Sequence, residues 1–196
     1  MLHVLTFNDL CNKHGTDKGD QHHEKHGYSF VYDENLLPLR NEPINILEIG
    51  VFEPSFPGAS LQVLKEYFPR ATIYGMDVME EARKLEDQRV TIFIGDQGNP
   101  ATWSEFHQQH NIAFDVVIDD GSHRFADQMV SFQHLFPRVA RGGIYFIEDL
   151  HGADGYKTRL AFNNYQTVKF FASFRQEIQD ISFHCDEKLL VIKKCS

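Results

Sequence analysis

Carboxylates end several short apolar runs in this chain of 196 residues. Continuous apolar runs of this kind are typical of strands buried on both faces of a parallel sheet. The carboxyl ends of parallel strands meet at one edge, and ligands bind there. Because so much negative charge in one crevice needs hydroxyls, amines or a cation to offset it, we expect a cationic or metal-bound ligand. The acidic residues concerned are Glu48, Asp77, Asp96, Asp119, Asp120, Glu148 and Asp149.

The apolar runs alternate with segments that suit helices, which predicts parallel βαβ units. The expected strands are Ile44–Gly50, Ala71–Asp77, Val90–Asp96, Phe114–Asp120 and Gly143–Asp149. The expected helices are Ser60–Phe68, Glu80–Leu85, Pro100–His110, Phe125–Val139 and a longer one from about Tyr156 to Phe171. Asp180–His184 and Leu189–Lys194 are expected to form a hairpin. The predicted fold is α/β, a doubly wound, Rossmann-like and mostly parallel sheet with a C-terminal antiparallel hairpin.

No repeat, low-complexity tract or linker divides the chain, so residues 1–196 are predicted to form a single domain. Residues 1–42 precede the strand-helix alternation and are expected to be an N-terminal arm. Within this arm, Phe7–Lys13 is expected to be a short helix. The polar stretch His14–Tyr32 is expected to lie over the edge of the sheet or over its ligand crevice.

The net charge argues against a nucleic-acid partner. With 19 Lys and Arg against 28 Asp and Glu, the chain carries 19 − 28 = −9 charges and has no basic stripe. No apolar run approaches the roughly 20 residues that span a bilayer, and the N-terminus does not resemble a signal peptide, so no membrane partner is expected. Cys11, Cys185 and Cys195 show no metal or disulfide spacing, which favours a reducing cytoplasm.

Two histidines invite a different interpretation, a zinc site. His22 and His26 are four positions apart, but His23 and Glu24 do not complete the H-E-x-x-H pattern of a metalloprotease helix. A solvated loop or lid is the favoured interpretation of this segment.

The first strand-to-helix loop discriminates between two classes of cofactor. Asp77 ends the second strand, where a carboxylate can bind two ribose hydroxyls of either a nicotinamide cofactor or S-adenosylmethionine. A dinucleotide fingerprint would place a second glycine shortly after Gly50, whereas Phe52 and Glu53 stand there. Pyrophosphate binding is therefore disfavoured, and the additional charge of Glu48 would attract an ammonium or sulfonium group.

These residues resemble class I S-adenosylmethionine-dependent methyltransferases. A narrower set of runs, spanning about residues 15 to 150, resembles the metal-dependent sugar O-methyltransferases of macrolide and related natural-product pathways. The runs are Gly15-Thr16-Asp17-Lys18-Gly19, His26-Gly27-Tyr28 with Tyr32, Tyr67-Phe68-Pro69, Ile73-Tyr74-Gly75-Met76-Asp77, Gly95-Asp96-Gln97, Ile118-Asp119-Asp120-Gly121-Ser122-His123 and Gly142-Gly143-Ile144-Tyr145-Phe146-Ile147-Glu148-Asp149-Leu150.

The resemblance implies a Mg²⁺-dependent O-methyltransferase that acts on a sugar hydroxyl of a glycosylated natural product. It implies that Asp120, Glu148 and Asp149 hold Mg²⁺ or another hard divalent cation, with His123 as the general base. Carboxylate oxygens suit Mg²⁺, and histidine can exchange a proton near neutral pH. The implied residues that bind S-adenosylmethionine are Tyr28, Glu48, Gly50, Ser60, Asp77, Asp96, Gln97 and Asp119, the last on the face opposite Asp120.

The loop from Val51 to Ser60 is longer and richer in proline than the usual glycine loop of this family. The expected acceptor is a small molecule, a glycoside, in a pocket formed by the arm, by the Leu150–Thr158 loop or by a second subunit of a homo-oligomer. The alternatives are a metal-dependent hydrolase or hydroxylase and a non-catalytic cofactor-binding module. Simpler interpretations of the acidic pairs are a strand-end turn for Asp119 and Asp120 and a helix N-cap for Glu148 and Asp149.

Overall fold

A seven-stranded mixed sheet forms the centre of the molecule in the computed structural model, which describes residues 4–22, 26–150 and 165–196, with side chains in the last range from residue 169 onward. The strands are β1 (Asn45–Ile49), β2 (Thr72–Asp77), β3 (Val90–Ile94), β4 (Phe114–Asp119), β5 (Val139–Ile147), β6 (Ile178–His184) and β7 (Leu189–Lys194). Their spatial order is β3-β2-β1-β4-β5-β7-β6. Strands β1 to β5 are parallel, and β7 is antiparallel to both β5 and β6. This topology confirms the predicted sheet and its terminal hairpin.

Helices cover both faces of the sheet. They are α1 (Phe7–His14), α2 (Ser29–Leu36), α3 (Ala59–Tyr67), α4 (Pro100–Gln109), α5 (Phe125–Leu135) and α6 (Tyr165–Ala172), with short 3₁₀ helices at Leu37–Leu39, Glu80–Leu85 and Phe136–Arg138. Side chains of α1, α2 and α3 pack on one face of the sheet, and side chains of α4, α5 and α6 pack on the other. Alternate residues of each strand therefore enter different layers, as Ile46 and Leu47 do in β1.

Local sequence signals explain where several helices begin and end. Thr6 and Asp9 form a capping box at the start of α1, and Gly15 ends that helix with a φ of 76°. Asn99 caps α4, with Pro100 in its first turn. The predicted helix Phe125–Val139 ends early, because Pro137 cannot continue it, and β5 begins at Val139.

The N-terminal arm contains a helix that the sequence did not predict. Helix α2 has no side-chain cap, and it buries Val31, Tyr32 and Leu36 against the sheet. The predicted helix from about Tyr156 is described from Tyr165 onward, and its earlier part and the loop after Leu150 lie outside the described residues. No helix in the described ranges is long and apolar enough to cross a membrane.

Candidate active site

A cavity of about 680 Å³ opens at the carboxyl edge of the parallel strands. The order of the sheet reverses between β1 and β4, which is the switch point where ligands bind in open α/β sheets. Loops after β1, β2, β3, β4 and β5 line the cavity, together with the loop after α1. The predicted site residues in its wall are Gly50, Ser60, Asp77, Asp96, Gln97, Asp120, His123 and Asp149. Tyr28, Glu48, Asp119 and Glu148 are buried beside it and are not part of the lining.

Asp77 holds the first loop in place. One oxygen, Oδ2, accepts the backbone N–H groups of Val51 at 2.9 Å and Phe52 at 2.8 Å, while Oδ1 accepts that of Met79 at 2.9 Å. The side chain still lines the cavity, and Oδ1, which has a single donor among the described residues, can accept a further one. Asp77 therefore holds the shape of the loop. Its carboxylate is also the group that is predicted to bind the ribose hydroxyls.

Gly50 lets two chain segments meet beneath the cavity. Its φ is +81°, its N–H donates to the Met76 carbonyl at 2.8 Å, and an added Cβ would lie 2.1 Å from the carbonyl oxygen of Asp120. No side chain fits at this distance. The loop after β1 and the loop after β4 can therefore be this close only with glycine at position 50.

We predict that Gly50→Ala lowers the stability of the fold by at least about 2 kcal/mol, since it adds a backbone clash to the strain of a positive φ. Thermal unfolding should show a decrease in Tm of roughly 5 °C or more. Gly27→Ala is the matched control, because Gly27 has a φ of +71° but no described atom within 4 Å of an added Cβ. Equal decreases in Tm for the two variants would contradict the close approach at Gly50.

Glu48 lies directly behind the wall formed by Gly50 and Ser60. It is fully buried, and its Oε2 accepts the Ser60 hydroxyl at 2.8 Å. Its Oε1 has no hydrogen-bond partner among the described residues, and the Lys18 ammonium is 4.0 Å away. Burial raises the pKa of Glu48 to about 7, although Lys18 opposes this shift. This carboxyl therefore changes its charge near neutral pH.

Gln97 connects Asp119 to the cavity. Its amide nitrogen donates to Asp119 Oδ1 and to the Ser131 hydroxyl, both at 2.9 Å, while its amide oxygen accepts the N–H of Ser122 at 2.6 Å. Burial raises the pKa of Asp119 to about 7. Asp119 does point to the face opposite Asp120, as strand alternation requires, but it fixes the Gln97 amide instead of lining the cavity. Asp96, in the wall, accepts the N–H of Gly98 at 2.8 Å.

Asp120, His123 and Asp149 converge on one side of the cavity. His123 Nε2 is 3.1 Å from Asp120 Oδ1, and His123 Nδ1 is 3.8 Å from Asp149 Oδ2. One ligand atom from each of the three residues lies within 4.8 Å of the others, so this group could hold a metal ion. Both His123 and Asp149 have a positive φ, 55° and 51°, which is a strained backbone typical of functional sites.

The two carboxylates control the charge of the histidine. Burial alone lowers the pKa of His123, but the hydrogen bond and charge of Asp120, with the charge of Asp149, raise it to about 9. Burial alone raises the pKa of Asp120, whereas Lys18 and His123 bring it below its ordinary value. In this arrangement the imidazole is protonated near neutral pH, and it can act as a base only when other positive charge offsets the carboxylates.

Glu148 is more deeply buried than Asp120 and Asp149, and the N-terminal arm covers it. Its Oε1 accepts the Tyr32 hydroxyl, and its Oε2 accepts the Lys18 ammonium at 3.0 Å. Burial and the neighbouring Asp120 raise the pKa of Glu148 well above its ordinary value. Thus both of its oxygens are engaged, and Glu148 is not in the group of three that lies within metal-binding distance.

Tyr28 lies under Asp149. Its hydroxyl donates to Asp149 Oδ1 at 2.5 Å, and its ring stacks on His26 at 5.2 Å between centroids. His26 is also close to Asp149, with Nδ1 3.7 Å from Oδ1, and to Asp17, with Nε2 3.5 Å from Oδ2. Tyr28 therefore orients a carboxylate of the site and does not line the cavity. His22 does line the cavity. Residues 23–25, between His22 and His26, lie outside the described ranges.

Sequence reasoning missed the roles of Lys18 and Tyr32. Both residues stand in runs of the N-terminal arm that resemble the family, but their partner Glu148 is more than a hundred residues away. The available signal was the charge balance, because a buried set of carboxylates needs a cation and Lys18 is the lysine within those runs.

The chain is similar in sequence to curated O-methyltransferases. No family model matches the chain. Demethylmacrocin O-methyltransferase of Streptomyces fradiae is 39% identical over 147 residues, which is 74% of this chain and 36% of that protein. Mycinamicin VI 2''-O-methyltransferase of Micromonospora griseorubida is 38% identical over 128 residues, which is 64% of this chain and 32% of that protein. The matched part of the chain spans about a third of the length of these curated relatives.

A solved structure matches nearly the whole chain. It is the MycE methyltransferase from the mycinamycin biosynthetic pathway, in complex with Mg, SAH and mycinamycin VI. The TM-score is 0.82 at 27% sequence identity, and the match covers 98% of this chain and 55% of that one. Sheet, flanking helices and terminal hairpin thus occur together in an enzyme with an experimental structure.

Proposed function

This chain has the class I methyltransferase fold and is a relative of the sugar O-methyltransferases of macrolide pathways, and from this premise we propose that it transfers a methyl group from S-adenosylmethionine to a sugar hydroxyl of a glycosylated natural product. The observation that carries the proposal is the convergence of Asp120, His123 and Asp149 on the wall of the cavity, in a chain 39% identical over 147 residues to demethylmacrocin O-methyltransferase. Two carboxylates and an imidazole beside one cavity support the roles of metal ligands and of a base next to a methyl donor.

The residues fit a divalent cation. Asp120 and Asp149 supply carboxylate oxygens, which Mg²⁺ prefers, and Glu148 lies next to them with a third carboxylate. We propose Asp120, Glu148 and Asp149 as the ligands, which requires Glu148 to exchange a present partner. When bound, Mg²⁺ or a similar hard cation would lower the pKa of an acceptor hydroxyl and orient it.

His123 is the proposed general base. The imidazole is 29% exposed and faces the cavity, so an acceptor hydroxyl can reach it. Its hydrogen bond to Asp120 fixes the ring, and the loss of a proton leaves it ready to accept one from the hydroxyl. The hydroxyl oxygen then attacks the methyl carbon of the sulfonium as the carbon–sulfur bond breaks. The products are the methyl ether, a protonated His123 and S-adenosylhomocysteine.

The cofactor would occupy the opposite half of the cavity. Gly50 and Ser60, with the charge of Glu48 behind them, suit the amino-acid end, and Asp77 suits the ribose. Asp96 and Gln97 are the proposed residues beside the adenine, and Asp119 would act by holding Gln97. Tyr28 contributes through Asp149.

The predicted acceptor loop Leu150–Thr158 lies outside the described residues beyond Leu150. We propose that residues 1–196 act as one domain whose arm, residues 1–42, covers the carboxylates from above. The remaining wall would come from the segment after Leu150 or from a second copy in a homo-oligomer. A small glycoside is the proposed acceptor. The acidic net charge argues against a nucleic-acid partner. The charge and cysteine pattern support the cytoplasm as its compartment.

Calorimetric titration with S-adenosylhomocysteine, with and without Mg²⁺, tests the proposal without knowledge of the acceptor. We expect a one-to-one complex for the wild type and much weaker binding for Asp77→Asn, with Asp87→Asn as a control on the exposed surface. Absence of binding under both conditions would contradict the proposal. A metal-dependent hydrolase would then be the better interpretation of the carboxylates.

The pKa of Glu48 predicts how this binding depends on pH. The ligand carries an ammonium group, which the ionised form of Glu48 attracts, and with a pKa raised to about 7 that form is lost as pH falls through neutrality. We expect the affinity for S-adenosylhomocysteine to fall by roughly 3- to 10-fold from about pH 8 to about pH 6. Glu48→Gln should bind more weakly at about pH 8 and show little of this dependence. Glu53→Gln, an exposed carboxyl in the same wall, is the control, and an unchanged slope in Glu48→Gln would show that another group is responsible.

A further inference from the structure

Lys18 is a buried cation that the proposed reaction does not use. Its side chain is 3% exposed and enters from the loop after α1, between Gly15 and Gly19. The ammonium donates to Asp120 Oδ2 and to Glu148 Oε2, the latter at 3.0 Å. Three carboxylates, those of Asp120, Glu148 and Glu48, surround it, and this ammonium is their principal source of positive charge among the described residues.

The ammonium occupies oxygens that the proposed metal ligands would offer, so the inference rests on the proposed function. A divalent cation bound between Asp120 and Glu148 would compete for the two oxygens to which Lys18 donates. An ammonium and a divalent cation on the same oxygens repel each other at close range, because both are positive. Binding of a metal between Asp120 and Glu148 therefore favours a shift of Lys18 away from them.

Glu48 provides the place to which Lys18 can move. Its Oε1 is completely buried, has no hydrogen-bond partner among the described residues and lies 4.0 Å from the Lys18 nitrogen. A shift of about 1 Å brings the two atoms to hydrogen-bond distance, which the flexible stem of lysine permits. Such a hydrogen bond would satisfy an oxygen that is otherwise costly to bury.

We propose that Lys18 is the counter-ion of the carboxylates of Asp120 and Glu148, and that a divalent cation, when it binds there, displaces the ammonium onto Glu48. Lys18 is thus a positioning residue that keeps the carboxylate cluster neutral enough to fold before a metal binds. Its displacement couples the metal site to Glu48, which lies behind the part of the cavity proposed for the cofactor. Metal binding and cofactor binding therefore change each other's affinity.

Binding of Mn²⁺ in the absence of cofactor, followed by the electron paramagnetic resonance of the free ion, tests this competition. Lys18→Met removes the charge and keeps the length of the side chain, and it should bind Mn²⁺ roughly 10- to 100-fold more tightly than the wild type. Mn²⁺ should also raise the Tm of Lys18→Met more than that of the wild type. Lys13→Met is the control, because Lys13 forms an ion pair with Glu66 on the surface. Equal or weaker binding by Lys18→Met would overturn the inference while leaving the metal site intact.

A double-mutant cycle with Glu48→Gln tests the destination of the ammonium. The substitution should weaken Mn²⁺ binding more when Lys18 is present than in the Lys18→Met background, because only a displaced ammonium needs Glu48. Equal effects in both backgrounds would overturn the displacement onto Glu48. If Lys18→Met fails to fold, the double variant keeps the buried charge balance, and it should still bind Mn²⁺ more tightly than Glu48→Gln alone. If no variant binds Mn²⁺, the proposed metal site fails and the inference fails with it.

Discussion

Replacing His123 by alanine is expected to lower kcat by about 10²- to 10⁴-fold, which is the usual contribution of a general base, and to leave the affinity for S-adenosylhomocysteine nearly unchanged. The imidazole is the basic side chain that the structure places against Asp120 and Asp149 in the cavity wall. Gly50 and Asp77 line the part of the cavity proposed for the cofactor, and His123 has no hydrogen bond to either of them in the described structure. Its removal should therefore leave cofactor binding intact.

The backbone at position 123 requires a second variant. His123 has a φ of 55°, which alanine tolerates poorly and asparagine tolerates well. His123→Asn keeps this conformation, cannot act as a base near neutral pH and should lose as much activity as His123→Ala. His134→Ala, in the last turn of α5 and away from the cavity lining, is the control. Activity retained by His123→Asn would show that the base lies elsewhere, and loss of cofactor binding in both variants would indicate a structural role.

The pKa of His123 links this base to the metal ligands. A value of about 9 means that the imidazole is protonated at neutral pH while Asp120 and Asp149 are unneutralised. A positive charge between these carboxylates offsets their negative charge, which is what raises the pKa of His123. The pKa then returns toward that of an ordinary histidine. Metal binding and activation of the base are therefore expected to be one event, which explains why His123 lies among carboxylates.

The sheet was predictable because its strands are continuous apolar runs that end at glycine or a carboxylate. Each run needs only local information, and each predicted strand overlaps an observed one within a few residues. Helix α2 was not predictable in this way, because it has no capping side chain and no clear polar face. Its residues become helical through packing of Tyr32 against Phe146, with ring centroids 4.5 Å apart.

The site was partly predictable for a similar reason. Strand ends and alternation identify which carboxylates meet and that Asp119 faces away from Asp120. They do not reveal which carboxylates are already paired. The pairing of Glu148 with Lys18 and Tyr32 depends on how an irregular arm folds back over the sheet, which no local pattern encodes. The assignment of Glu148 to the metal consequently remains a prediction, and its present partners make the order of events testable.

Asp120→Asn is expected to have the second large effect, a loss of divalent-ion affinity of about 100-fold or more with a similar loss of methyl transfer at limiting metal. The reason is that Asp120 contacts both cations of the site, Lys18 and His123, and an amide supplies neither the charge nor the second acceptor oxygen. Binding of S-adenosylhomocysteine without metal should persist. Mn²⁺ titration and the metal dependence of kcat measure the two effects.

Asp115→Asn is the matched control for Asp120→Asn. Asp115 lies at the opposite end of β4, where it accepts the N–H of Asn45 at 2.8 Å, so the same chemical change occurs on the same strand far from the cavity. The pair of variants therefore separates a general effect on β4 from the loss of a ligand. If Asp120→Asn binds Mn²⁺ as tightly as Asp115→Asn, Glu148 and Asp149 hold the ion without Asp120. The metal would then not neutralise Asp120, the carboxylate that raises the pKa of His123. Metal binding and activation of the base would not be coupled.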